Sequence, residues 1–270
     1  MRYALGLQYD GAHYAGWQIQ PNHSGVVTLQ TTLQNAVSVI AAHPVSVVCA
    51  GRTDTGVHAL QQVVHFDTDT VRPDSAWVRG VNASLPSDMA VQWAHAMPDA
   101  FHARHSAVAR RYTYVLTSSN IRPALARSHV GWTHYALEIE HMKTACALLI
   151  GEHDFSSFRA SSCQAASPIR TLSELNVHRQ GATLFITAQA NGFLHHMIRN
   201  IVGALIAVGS GRQSLSEFEQ VFLSRDRRLG APTFAPSGLY FCGASYPDYP
   251  SIPVPVQQPF DAGSGGWPWV

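Results

Sequence analysis

Apolar residues in this chain switch between two periods in a fixed order, and that order constrains the fold more than any other feature. Residues 3–9 (Tyr3-Ala4-Leu5-Gly6-Leu7-Gln8-Tyr9) alternate and predict a strand. Leu29, Leu33, Ala36, Val37 and Ile40 then share one helical face, which His43-Pro44 ends. Runs at 45–49 and 63–66 predict two strands. Asp74 is expected to cap a helix reaching Ser84, broken by Leu85-Pro86, and residues 89–96 alternate again. The order is β-α-β-β-α-β. After a reset around 100–109 it repeats: strand 110–116, helix 137–150, a hairpin of 171–178 and 183–190 around Gln180-Gly181, helix 194–208 and strand 239–246. One extra helix, 215–224, precedes the last strand. The expected class is α+β: two tandem ferredoxin-like units of antiparallel sheet, helices behind, with the sheets joined across a central cleft. The expected domains are 1–104, 105–250 and a Pro/Gly-rich tail, 251–270.

Composition narrows the function classes. With 46% hydrophobic residues, the 270-residue chain can bury a sizeable core. No apolar stretch approaches the roughly 20 residues that span a bilayer, and no charged-then-apolar leader follows Met1, so a soluble cytoplasmic protein is expected. Cys49, Cys146, Cys163 and Cys242 form no C-x-x-C pair and read as buried free thiols. His195-His196 and His102-x-x-His105 lack ligand spacing, so no metal is expected. No P-loop, dinucleotide fingerprint or nucleophile elbow is present, and no cofactor is expected.

The net charge of +1 hides an asymmetry. Residues 1–104 carry five arginines against seven aspartates, whereas 105–250 carry twelve arginines and one lysine against nine acids. Arginine binds phosphate bidentately and stacks on bases, which suits a polyanionic partner for the second half. RNA-recognition modules share the predicted topology, but topology does not fix function.

Between the strands at 45–49 and 63–66 lies Ala50-Gly51-Arg52-Thr53-Asp54-Thr55-Gly56-Val57-His58-Ala59. Its residues leave two readings open: a tight turn with Gly56 at positive φ, or a site presenting Asp54 as nucleophile or base. Arg199, flanked by apolar residues in 194–202, is either a helix-surface residue or a charge with a partner. Tyr112 and Tyr114 are either packed side chains or a platform for a base.

Several motifs together resemble the tRNA pseudouridine synthase A family. They are residues 51–59, Tyr9-Asp10-Gly11 with Tyr14, Gly16, Trp17 and Gln18, Phe101-His102-Ala103-Arg104 with Arg110-Arg111-Tyr112-Thr113-Tyr114, residues 193–203, and Pro236-Ser237-Gly238-Leu239-Tyr240. Thr55 stands where the family often has alanine, and the tail after about Pro259 has no counterpart. The resemblance implies isomerisation of uridine to pseudouridine at positions 38, 39 and 40 of the tRNA anticodon stem-loop. It also implies a homodimer whose tRNA spans both subunits. Asp54 is then the catalytic carboxylate, Arg199 the basic residue paired with it, and Tyr112 the aromatic that stacks on the target base. Arg52 holds the nucleotide flipped out, and Leu239 lines the pocket. The alternatives are a non-catalytic tRNA-binding or chaperone protein and a nucleoside or glycoside hydrolase, which typically uses two carboxylates.

Overall fold

The computed structural model describes residues 1–20 and 25–257. The chain forms two compact units, one built from Met1–Arg110 with the segment returning at Tyr240, the other from Arg111–Leu239. The expected α+β class holds.

The first unit begins with β1 (Arg2–Tyr9), α1 (Leu29–Ala41), β2 (Val48–Cys49), β3 (His58–Asp67), α2 (Asp74–Ser84) and β4 (Met89–Met97). Its sheet runs β4-β1-β3, antiparallel throughout, with β2 as a short addition to β3. Four residues of the predicted stripe of α1 are buried, Leu29, Leu33, Ala36 and Val37; Ile40 is only partly covered, and Ala41 is the fifth buried residue. Thr28 caps α1 by accepting the amide of Thr31, and Ala42 ends it at φ 61°. Asp74, expected as a cap, is instead the first helical residue of α2. Pro73 stands at the cap, and the Asp74 carboxylate lies in the first turn, where the helix dipole favours it.

The strand expected at 45–49 shrinks to two residues for a clear reason. Side chains of α1 satisfy its backbone instead: Ser38 Oγ accepts from Val45 N, Gln34 Oε1 accepts from Val47 N, and Gln30 Nε2 donates to Val47 O. Strand β3, in contrast, is longer than expected and begins inside the 50–59 motif.

The second unit contains β5 (Ala109–Ser118, from Arg111), β6 (Gly131–Thr133), α3 (Ile139–Ala147), β7 (Gly151–Asp154), β8 (Ile169–Gln180), β9 (Thr183–Ala190), α4 (Met197–Gly209) and α5 (Leu215–Ser224). The order in its sheet is β5-β9-β8-β7, and β6 runs parallel to β5. Strands β6 and β7 escape a periodicity reading because three and four residues show no alternation. The helix expected from 194 starts only at Met197. His196 precedes it at φ 60°, so His195 and His196 lie in a turn and not on a helix face. Twelve of the thirteen residues of α4 are buried; the exception is Arg199.

The last strand, β10 (Leu239–Ser245), departs from the simple repeat. From Tyr240 it belongs to the first unit and pairs with β3 in parallel, Tyr240 opposite His58 and Phe241 opposite Ala59. Val108 N donates to Ser245 O, and Gln61 Nε2 donates to Pro253 O at 2.7 Å, so the returning segment is sewn in beyond the strand. Of the tail expected from 251, residues 258–270 lie outside the described residues. No helix among the described residues is long and apolar enough to cross a membrane.

Candidate active site

Residues 51–59 form a rigid loop, although only its end is strand. Val57 N donates to Asp54 O at 3.1 Å, and Gly56 sits at φ 76° while Thr55 keeps negative φ. That is a type II turn with glycine at the position needing positive φ. Asp54 opens the turn and is partly buried, between buried Thr53 and exposed Thr55. A side chain at residue 56 would be strained, so Gly56→Ala should cost about 1–2 kcal/mol and displace Asp54. A lowered melting midpoint together with reduced turnover is the expected result.

The floor of the loop is a buried polar network. Gln62, fully buried on β3, donates from Nε2 to Gly51 O at 2.6 Å and accepts Gly51 N at 3.4 Å. Tyr9 and Thr53 join their hydroxyls at 2.9 Å, and burial drives the Tyr9 phenol far up from its ordinary value. A two-sided amide bond fixes both the peptide plane of Gly51 and the orientation of Gln62. Sequence reading missed Gln62. Its signal was an amide pair, Gln61-Gln62, inside an otherwise apolar run.

The segment 10–18 closes over the loop through two glycines. A Cβ on Gly11 would lie 2.0 Å from Val57 O, and one on Gly16, at φ 82°, would lie 3.0 Å from Thr53 O. Trp17 N donates to Thr53 O at 2.9 Å. His58, 2% exposed, places Nδ1 3.0 Å from Asp10 Oδ1 and 3.2 Å from Gly11 N, and its ring stacks on Tyr240 at 4.8 Å. The loop carrying Asp54 is therefore held from below by β3 and from the side by backbone at van der Waals limits. Arg52 differs from these neighbours: it is exposed and makes no hydrogen bond or ion pair among the described residues.

The double arginine is bonded within the protein. Arg110 donates to the carbonyls of Ala50, Arg104 and Ala107, tying the loop's first residue to the end of the first unit. Arg111, 7% exposed, makes a bidentate pair with Glu174.

The Phe101-His102-Ala103-Arg104 motif meets β3 through imidazoles. His65 Nδ1 accepts from Ala103 N at 3.1 Å, and His102 Nδ1 accepts from Arg104 N and His105 N. Rings 65 and 102 stand 4.6 Å apart. Burial, then the neighbouring His102 and Arg2, lower the His65 pKa from 6.5 to about 4, with Asp67 opposing. Its folded value is depressed, so the unfolded chain binds the extra proton between these values and stability falls as pH drops from 6.5 to 4. His65→Gln should flatten that part of the melting-temperature profile; an unchanged slope would assign it to other groups.

In the second unit, Tyr112 is 8% exposed with its ring edge-on to Phe193 at 5.2 Å. Tyr114 is fully buried and donates to Ala235 O at 2.9 Å, which settles it as a packed residue. Arg199 donates from Nε to Phe234 O at 2.8 Å, and its positive charge acts on the Tyr114 phenol. Leu239, 6% exposed, follows Gly238, whose Cβ would fall 2.4 Å from Val115 O. Segment 234–239 thus joins Arg199, Tyr114 and Leu239 into one cluster. Arg52 and Asp54 belong to the first unit, and Tyr112, Arg199 and Leu239 to the second.

The family described as "tRNA pseudouridine synthase" matches residues 7–106 and 145–247. The chain belongs to this family. A tRNA pseudouridine synthase A of Bordetella parapertussis is 52% identical over 248 residues, 91% of each chain. One of Paraburkholderia phymatum is 48% identical over 269 residues, 100% of this chain and 98% of its own. A third, of Shewanella denitrificans, is 50% identical over 255 residues, 94% of this chain and 96% of its own. Both matched segments contain the loops described above, so the family match spans the clamped Asp54 turn and the Arg199 helix alike.

Proposed function

We propose that this protein isomerises uridine to pseudouridine at positions 38, 39 and 40 of the tRNA anticodon stem-loop, with Asp54 as the catalytic carboxylate. The observation that carries the reading is the Asp54 turn, fixed by Gly56, Gln62 and segment 10–18 in a chain whose family makes pseudouridine in tRNA. A carboxylate so held costs little reorganisation when it reacts.

In this reading the target uridine leaves the stem at a cost of a few kcal/mol. Arg52, exposed on the loop, holds the flipped nucleotide, and Tyr112 stacks on the base. Leu239 supplies an apolar wall, and Arg199 is the basic residue that pairs with the Asp54 carboxylate. Asp54 attacks C1′ or otherwise promotes cleavage of the bond from C1′ to N1. The uracil turns, C5 bonds to C1′ as any bond from Asp54 to C1′ breaks, the C5 proton is lost to water, and N1 takes up a proton. Atoms balance without oxidant or reductant. The basic second half contacts the RNA backbone, and a homodimer in the cytoplasm lets one tRNA span both subunits.

Mapping pseudouridine in unmodified tRNA transcripts after incubation with the protein tests the positional claim. Modification confined to 38, 39 and 40 supports it; modification elsewhere in the tRNA overturns it.

A further inference from the structure

We infer that Asn200, with Arg227 and Thr233, is a positioning unit that fixes the direction of the Arg199 guanidinium; this rests on the proposed role of Arg199. Everything on α4 is buried except Arg199, so its direction is set by what crosses its open side. That is the stretch leading from the 3₁₀ turn Arg227–Leu229 to Leu239. Phe234 is bonded to Arg199 twice: Arg199 Nε donates to Phe234 O at 2.8 Å, and Phe234 N donates to Arg199 O at 3.2 Å. With Nε committed, one edge of the guanidinium is anchored, which restricts the directions its two terminal nitrogens can take.

The adjacent residue holds the crossing stretch in place. Asn200 is 2% exposed. Its Nδ2 donates to Phe158 O at 2.7 Å, and its Oδ1 accepts from Thr233 Oγ1 at 2.6 Å and Arg227 Nη2 at 3.0 Å. Arg227 Nη2 also reaches Thr233 Oγ1 at 3.2 Å. A carbonyl on one side and two donors on the other require an amide here; neither carboxylate nor alkyl groups meet both demands. One turn further along α4, Gly203 admits Pro232 O, which a Cβ would meet at 2.3 Å. The stretch is therefore pinned at 227, 232, 233 and 234. Buried polar hubs of this kind orient neighbouring groups more strictly than apolar packing does. Asn200 acts through Arg199 and is not itself a catalytic residue.

The test is a double-mutant cycle on single-turnover rates, with enzyme in excess over a tRNA transcript and reaction followed long enough to resolve slow variants. Thr233 is exposed, so Thr233→Val removes the donor without opening a cavity. It should lower the rate about tenfold, roughly one hydrogen bond, with tRNA affinity unchanged. Thr233→Ser, which keeps the hydroxyl, should restore it. In an Arg199→Ala background the valine should add no further loss. An undiminished rate in Thr233→Val, or an equal loss in both backgrounds, overturns the positioning role. Full turnover in Arg199→Ala alone removes Arg199 from the reaction, a failure of the underlying reading that the cycle separates from failure of the clamp.

Discussion

Asp54→Asn should lower turnover by at least about 10³-fold while tRNA binding stays within about threefold of the wild type. The substitution keeps the shape of the side chain and leaves the backbone bond from Val57 N to Asp54 O untouched. It removes only the anion, which both proposed roles of Asp54 require. In the proposed reading phosphate contacts made by other residues dominate binding, so affinity is insulated from the change. A filter-binding curve beside a single-turnover assay separates the two effects. Turnover within tenfold of the wild type would take Asp54 out of the mechanism.

The second large effect is expected at a residue that touches no substrate. Gly11→Ala places a methyl 2.0 Å from Val57 O and 2.7 Å from Val57 C, both backbone atoms at the edge of the Asp54 turn. Neither can move alone, because Val57 N is bonded to Asp54 O and the next residue, His58, begins β3. Relief requires segment 10–18 to lift away from the loop, losing the bond from Trp17 N to Thr53 O and the contact of His58 with Asp10. The expected cost is about 3 kcal/mol of stability, the upper end for overpacking, with turnover falling further than stability alone explains. Thermal melts combined with turnover at a temperature where the variant is fully folded check both parts. A folded Gly11→Ala protein with normal turnover would show that this approach does not position Asp54.

The two substitutions also show where sequence reading stops. The Asp54 turn was legible because Gly56 announces positive φ locally, and α1 because Leu29, Leu33, Ala36 and Val37 share a buried face. The closeness of Gly11 and Gly16 to the turn was not, because a glycine needed for tertiary approach looks like any loop glycine. The strand expected at 45–49 is shorter because the Gln30, Gln34 and Ser38 side chains of α1 take its backbone bonds, which apolar alternation does not register. The return of β10 to β3 was hidden because alternation identifies a strand but not its sheet. At the site, Tyr112 and Tyr114 are indistinguishable by period; burial and the bond to Ala235 O separate them. The arginine excess of 105–250 does not say which arginines are open to a partner; the bonds of Arg110 and Arg111 show that these two are held inside their own units.

The central claim is a carboxylate-promoted isomerisation that returns the same uracil through C5. Incubating the protein with tRNA labelled with tritium at uracil C5 tests it most directly. The account predicts tritium released to water in step with pseudouridine formed at positions 38 to 40, with no free uracil. Tritium retained in the RNA, or uracil liberated from it, would contradict the account.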